Sequence, residues 1–67
     1  MISARNQFKG KVKNVKLGTV MAEIIVEASG IEIVSLISRA SAETMKLKVG
    51  DNVTAIIKST EVMVAKD

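Results

Sequence analysis

Ile31-Glu32-Ile33-Val34-Ser35-Leu36-Ile37-Ser38-Arg39-Ala40-Ser41-Ala42-Glu43-Thr44-Met45-Lys46-Leu47 changes its apolar period midway, from that of a strand to that of a helix. Up to Ile37 it alternates, with Ile31, Ile33 and Ile37 on one face of a strand and Val34 and Leu36 on the other. A strand that is apolar on both faces is one that is covered on both. At Ser38 the period of two stops. Ser38 or Ser41 can cap a helix of about two turns that packs Ala42, Met45 or Leu47 inward. No other segment reads as helix.

On either side of this segment everything else reads as strand. Upstream, from Phe8 to Val12, apolar positions are even-numbered and Lys9, Lys11 and Lys13 take the other face. The phase shifts at Asn14, and Val15 and Leu17 continue on odd numbers, which predicts a bulge or sharp bend between Gly10 and Asn14. Gly18 marks a turn. A second strand, about Thr19 to Glu27, sets Val20, Ala22, Ile24 and Val26 on one face and Met21, Glu23, Ile25 and Glu27 on the other, and Ala28-Ser29-Gly30 turns into the third. Downstream, Val49-Gly50-Asp51-Asn52 leads into a fourth strand, Val53 to Lys58. After a Ser59-Thr60 corner, a fifth is predicted over Glu61 to Ala65, with Val62 and Val64 on one face. Five strands with one short helix between the third and fourth is the order of a five-stranded OB-type barrel, all-β apart from that helix. Nothing divides the chain, so one domain is expected over 1–67.

Size argues for partners. A chain of 67 residues buries only about 60% of the surface its unfolded form exposes, and small domains of that kind usually need a disulfide, a metal or a second subunit. There is no Cys and no His, so disulfides and thiolate or imidazole zinc sites are excluded. Yet 48% of the residues are apolar, and the third strand has two faces to cover. An intertwined homo-oligomer is the expected remedy. The net charge of +3 favours anionic ligands without demanding nucleic acid. No apolar run approaches the roughly 18 residues of a membrane span. Met1 to Gln7 lacks the apolar core of a signal peptide, so the cytoplasm is expected.

Catalysis has little to work with. Without His or Cys, a general base or nucleophile has to be Lys, Ser or a carboxylate. Glu23, Glu27, Glu32, Glu43, Asp51, Glu61 and Asp67 are scattered on polar faces with no close pair, the pattern of solvated charge rather than of a calcium or magnesium site. Three other clusters stand apart: Ser3-Ala4-Arg5-Asn6, Ser38-Arg39-Ala40-Ser41 and Lys58-Ser59-Thr60. Each offers hydroxyls, backbone N–H groups or a fixed positive charge, and none contains a carboxylate. Together they could make a donor-only pocket for a small oxyanion. Taken singly, each has a plain structural use: Ser38 and Ser41 cap a helix, Ser59-Thr60 makes a turn, and Lys58 is solvated.

Four segments in order change the weighing. Ser3-Ala4-Arg5-Asn6-Gln7 with Lys9-Gly10-Lys11-Val12 resembles the opening of the molbindins, small molybdate- or molybdenum-pterin-binding proteins. Gly18-Thr19-Val20-Met21-Ala22-Glu23 is similar to that family's G-x-V-x-A-E strand, and Ile37-Ser38-Arg39-Ala40-Ser41 to its I-[TS]-x-x-S helix entrance. Val53-Thr54-Ala55-Ile56-Ile57-Lys58-Ser59-Thr60-Glu61-Val62 resembles its closing V-T-A-x-[IV]-K-[AS]-[ST]-x-V segment. The resemblance spans nearly the whole chain. It implies molybdate, and usually tungstate, bound as an oxyanion for cytoplasmic storage or homeostasis, with no catalytic cofactor and no directly ligated metal. It also implies a hexamer, a trimer of dimers, with oxyanions held between subunits. The same domain occurs attached to regulators and transport ATPases, and a chain of this length resembles the free-standing storage form.

The resemblance assigns roles at matching positions. Ser3 and Lys58 supply a hydroxyl and a positive charge, with backbone N–H groups near Ala4, Arg5 and Ser59 adding donors. Ser38, where family members often carry Thr, and Ser41 donate from the helix entrance. A second kind of site, at subunit junctions, puts backbone groups of Val20, Met21 and Ala22 near an anion. The chemistry is coherent: molybdate is a tetrahedral dianion with no proton to donate, and a pocket of donors suits it. Phosphate keeps a hydroxyl that such a pocket leaves unmatched, worth about tenfold to hundredfold in discrimination. Sulfate differs by size alone, and tungstate should compete. A pterin-bound form of molybdenum is a further ligand the resemblance leaves open. The alternative from another class is an OB-type nucleic-acid-binding module, with Lys9, Lys11 and Lys13 tracking phosphates. One aromatic residue, Phe8, is a poor stacking surface for it.

Overall fold

A computed structural model describes residues 3–67. Strands β1 (Asn6–Leu17), β2 (Met21–Ala28) and β3 (Ile31–Ser38) precede helix α1 (Arg39–Met45), strand β4 (Asn52–Ile57) and a single 3-10 turn at Ser59–Glu61. The four strands form one antiparallel sheet in the order β3-β2-β1-β4, so β3 and β4 are its edges.

The bulge lies where the shift in apolar phase predicts it. Val12 pairs with Val26 and Asn14 with Ile25, so Lys13 is the extra residue. Before the bulge Val12 faces the core opposite Val26; beyond it Val15 does so opposite Ile24. One inserted residue keeps an even-numbered and an odd-numbered series on the same face while bending the strand. The bend brings β1 hard against β2: a Cβ on Gly10 would lie 2.2 Å from the Glu27 carbonyl oxygen. Only glycine fits there.

Val12, Ala22, Ile24, Val26 and Ala42 make the buried core, with Val15, Ile33, Ile37, Leu47, Val53 and Ala55 packed around it. Helix α1 contributes Ala42 and is followed by Leu47, while Met45 stays 56% exposed. Ser38 caps the helix through its hydroxyl, and Lys46 closes it in the left-handed conformation.

Two expectations are corrected. Val20 does not belong to the buried face of β2: it lies before the strand, exposed in the β1–β2 connection, and Ala28 extends that face instead. The third strand, by contrast, is as expected: the chain alone covers one of its faces, with Ile33 and Ile37 packed on the core, and leaves Val34 and Leu36 62% and 66% exposed. The segment expected as a fifth strand forms the 3-10 turn and then a tail without regular structure, with Met63 and Val64 each 94% exposed. A strand needs a neighbour to bond to, and the tail has none among the described residues of its own chain. The curled sheet therefore leaves an apolar groove of about 650 Å³ between its two edges, lined by Ile33, Ile37, Leu47, Val53, Ala55 and Ile57.

Candidate functional site

The candidate residues gather in two sets, each assembled by a strand pairing. The pairing of Asn6 with Ile57 sets the start of β1 beside the end of β4, which joins Ala4 and Arg5 to Lys58 and Ser59. Here the backbone carbonyls are already in use. Gln7 donates from Nε2 to the Ala4 carbonyl at 2.7 Å and from its backbone N–H to that of Arg5 at 3.0 Å. Glu61 N–H donates to the Lys58 carbonyl at 2.9 Å, and Val62 N–H to that of Ser59 at 3.4 Å. What this corner has left to offer is N–H groups, the hydroxyl of Ser59 and two exposed cations, with exposed Ser3 preceding Ala4 in the chain. Among the described residues the ion pairs are those of Lys13 with Glu27 and Glu32 and of Arg39 with Glu43, so Arg5 and Lys58 are committed to no carboxylate.

The second set sits at the far end of β3, where Met21 pairs with Ser38. The Ser38 hydroxyl accepts from Ser41 N–H at 3.0 Å and donates to the Ser41 hydroxyl at 2.8 Å. Arg39 N–H donates to the Val20 carbonyl at 2.8 Å, tying the helix entrance to the connection before β2. Ala22 is buried, and the alternation of the ladder gives its N–H to β3. Val20 and Met21 are thus the backbone donors at this end. Sequence reasoning placed the helix entrance and the Val20–Ala22 backbone in separate sites; the β2–β3 register puts them side by side. It also missed the reach of Arg39, whose Nη1 donates to the Gly18 carbonyl at 3.1 Å across 21 positions of sequence. No local pattern signals that contact.

Among the described residues no hydrogen bond joins the two sets. One ends β4 and the other ends β3, the opposite edge strands of the sheet, with the apolar groove between them.

In the lysine stripe on β1, Lys13 is committed to carboxylates. In the sheet register Glu27 faces Glu32, a like-charged pair that is unfavourable when directly opposed. The bulge aims Lys13 at both: its ammonium hydrogen-bonds Glu32 and lies 3.9 Å from Glu27. The Glu32 hydrogen bond and charge, with help from Glu27 and against slight desolvation, raise the Lys13 pKa above its ordinary 10.5. Lys11 also stands opposite Glu27 in the register. Such a face is ill suited to tracking a phosphate backbone.

Comparison with known proteins agrees with the geometry. The TOBE domain model matches residues 2–64. The chain is 53% identical over 64 residues to molybdenum-pterin-binding protein 3 of Clostridium pasteurianum, covering 94% of each. The chain belongs to the TOBE domain family, as a molbindin. The fold of this molbindin superposes on a molybdate-binding protein from Sporomusa ovata with a TM-score of 0.93, at 42% identity and 98% coverage of both chains. It also matches the cytoplasmic molybdate-binding protein ModG, solved with molybdate bound, with a TM-score of 0.84 and 37% identity, covering 87% of this chain and 42% of that one. The OB-type architecture read from element order is that of these molbindin relatives. Among the described residues no helix is long and apolar enough to cross a membrane.

Proposed function

We propose that this chain is a molybdate-binding module, 1–67, that holds the oxyanion for intracellular storage or homeostasis in the cytoplasm and performs no catalytic step. The observation that carries the reading is the arrangement at the Arg5–Lys58 corner. Backbone carbonyls there are consumed by Gln7, Glu61 and Val62, while hydroxyls, N–H groups and two cations with no carboxylate partner among the described residues remain. A tetrahedral dianion with no proton to give is the ligand such a surface fits. The names of the relatives support molybdenum as the element. Tungstate, of nearly the same size, competes for the same donors, and a pterin-bound form of molybdenum is a second ligand to test.

The site is completed between subunits. Ser3, Ala4, Arg5, Lys58 and Ser59 of one copy meet Ser38 and Ser41 of another in a homo-oligomer, a hexamer built as a trimer of dimers. Two features support this: the two sets end opposite edge strands, and each chain carries both an open apolar groove and an exposed apolar tail, Val62-Met63-Val64. The tail of one copy laid in the groove of the next supplies the missing strand and intertwines the two.

Titration calorimetry with molybdate, sulfate and phosphate at one ionic strength tests the reading. Saturable heat with molybdate, weaker by at least about tenfold with phosphate, is expected. The absence of heat with all three overturns it and brings forward the oligonucleotide-binding alternative.

A further inference from the structure

A deeper inference rests on the oxyanion reading just given and concerns the donors at the start of β2. In a two-residue hairpin the residues flanking the connection exchange a pair of backbone hydrogen bonds. Between β1 and β2, with Thr19 and Val20 in the connection, one of the two is made: Gly18 N–H donates to the Met21 carbonyl at 2.8 Å. A Cβ on Gly18 would stand 2.8 Å from that same oxygen, so the close approach requires glycine. The return bond, from Met21 N–H to the Gly18 carbonyl, is not formed, and Thr19 and Val20 are a bend rather than a hydrogen-bonded turn. Arg39 Nη1 occupies the Gly18 carbonyl instead, at 3.1 Å.

The consequence is a local surplus of donors. The carbonyls of Gly18, Val20 and Met21 accept from Arg39 Nη1, Arg39 N–H and Gly18 N–H respectively. Met21 and Ser38 form a non-hydrogen-bonded pair, because Arg39 N–H bonds Val20, so the Met21 N–H is directed away from β3. Among the described residues the N–H groups of Val20 and Met21 have no acceptor. A hollow of about 190 Å³ opens beside Gly18 and Met21, with Lys16 and Glu23 also at its walls. Glu43, one helical turn on from Arg39, lies 3.6 Å from its Nε and holds the guanidinium in place.

We propose that Arg39 is the positioning residue of this second oxyanion site. A carbonyl oxygen can accept twice, so the effect lies in direction: the guanidinium fixes where the Gly18 carbonyl points, keeps the hairpin open, and leaves the Val20 and Met21 N–H groups for the anion. The planar guanidinium gives one N–H to the carbonyl while its Nε side faces Glu43 at ion-pair distance; a lysine ammonium does not reproduce that geometry.

Nitrogen-labelled protein, titrated with molybdate and followed by amide shifts and amide hydrogen exchange, tests the proposal. In the native chain the Met21 amide exchanges rapidly without ligand, and the Val20 and Met21 amides shift with molybdate. Arg39→Met lets the closing bond form, so Met21 exchange slows. The molybdate concentration needed at Val20 and Met21 then rises at least about tenfold, while the response at Arg5 and Ser59 is kept. Arg39→Lys falls between the two. A protected Met21 amide in the native chain, an unchanged Arg39→Met titration, or an Arg39→Lys variant equal to native overturns the positioning role. If molybdate moves Arg5 and Ser59 but not Val20 and Met21, this inference fails and the oxyanion reading stands. If it moves no amide, that reading has failed as well.

Discussion

Lys58 and Lys13 show how differently two exposed lysines are used on one small sheet. Lys58 has no carboxylate within ion-pair distance among the described residues and follows an edge strand into the 3-10 turn. A dianion loses a charge-assisted donor when it is removed, so Lys58→Ala should weaken molybdate binding by at least about tenfold, with the assembly intact by sedimentation. Unchanged affinity removes Lys58 from the site. Lys13, by contrast, is spent on structure, bridging the opposed Glu27 and Glu32. Its pKa is raised on folding, so its contribution is complete below the ordinary lysine value and is lost as pH climbs through the folded one. The native protein should therefore lose more of its urea midpoint than Lys13→Met between about pH 9 and pH 12. Parallel losses would show that the bridge contributes nothing.

At the scale of elements, the bulge in β1 does the most. It reverses the apolar phase, bends the strand, and delivers Lys13 toward β3. The phase change was legible because apolar residues leave a period that any insertion breaks. The cost of the bend was not: the approach of Gly10 to the Glu27 carbonyl follows from three-dimensional packing of β1 on β2. Gly10→Ala should destabilise the fold by about 3 kcal/mol, read as a lowered melting temperature, because backbone on backbone cannot relax as a flexible side chain would. A melting temperature within a degree or so of native would mean that the strands part at little cost. The helix entrance was equally legible, since Ser at a cap has a local job. Its neighbour Arg39 was not, because the carbonyl it reaches belongs to Gly18.

For the whole molecule the fifth strand is the element that finds no partner among the described residues of its own chain. Its apolar alternation over Glu61 to Ala65 reads as strand nonetheless. Strand propensity states what a segment can become; pairing requires an edge within reach, and the edges of β3 and β4 face a groove that stays open here. Leu36 is exposed on the outer face of β3, whereas Ile33 packs on the core. Leu36→Glu is therefore the cleaner interface probe, since Ile33→Glu would unfold the chain as well. Leu36→Glu should lower the sedimenting mass while circular dichroism still reports a β fold. A native-size particle would place the interface elsewhere.

Legible in the chain alone were the first four strands with the helix between the third and fourth, the bulge, the helix cap, the exclusion of thiol and imidazole chemistry, and the three donor clusters as stretches of sequence. All of these are written in local spacing or in the presence or absence of a residue type. The tertiary structure decided which clusters share a corner, that the helix entrance stands beside Val20 and Met21, and that Arg39 rather than Met21 bonds the Gly18 carbonyl. Those outcomes depend on strand register, and register is set by side-chain packing over the sheet as a whole, a quantity no stretch of the chain carries alone.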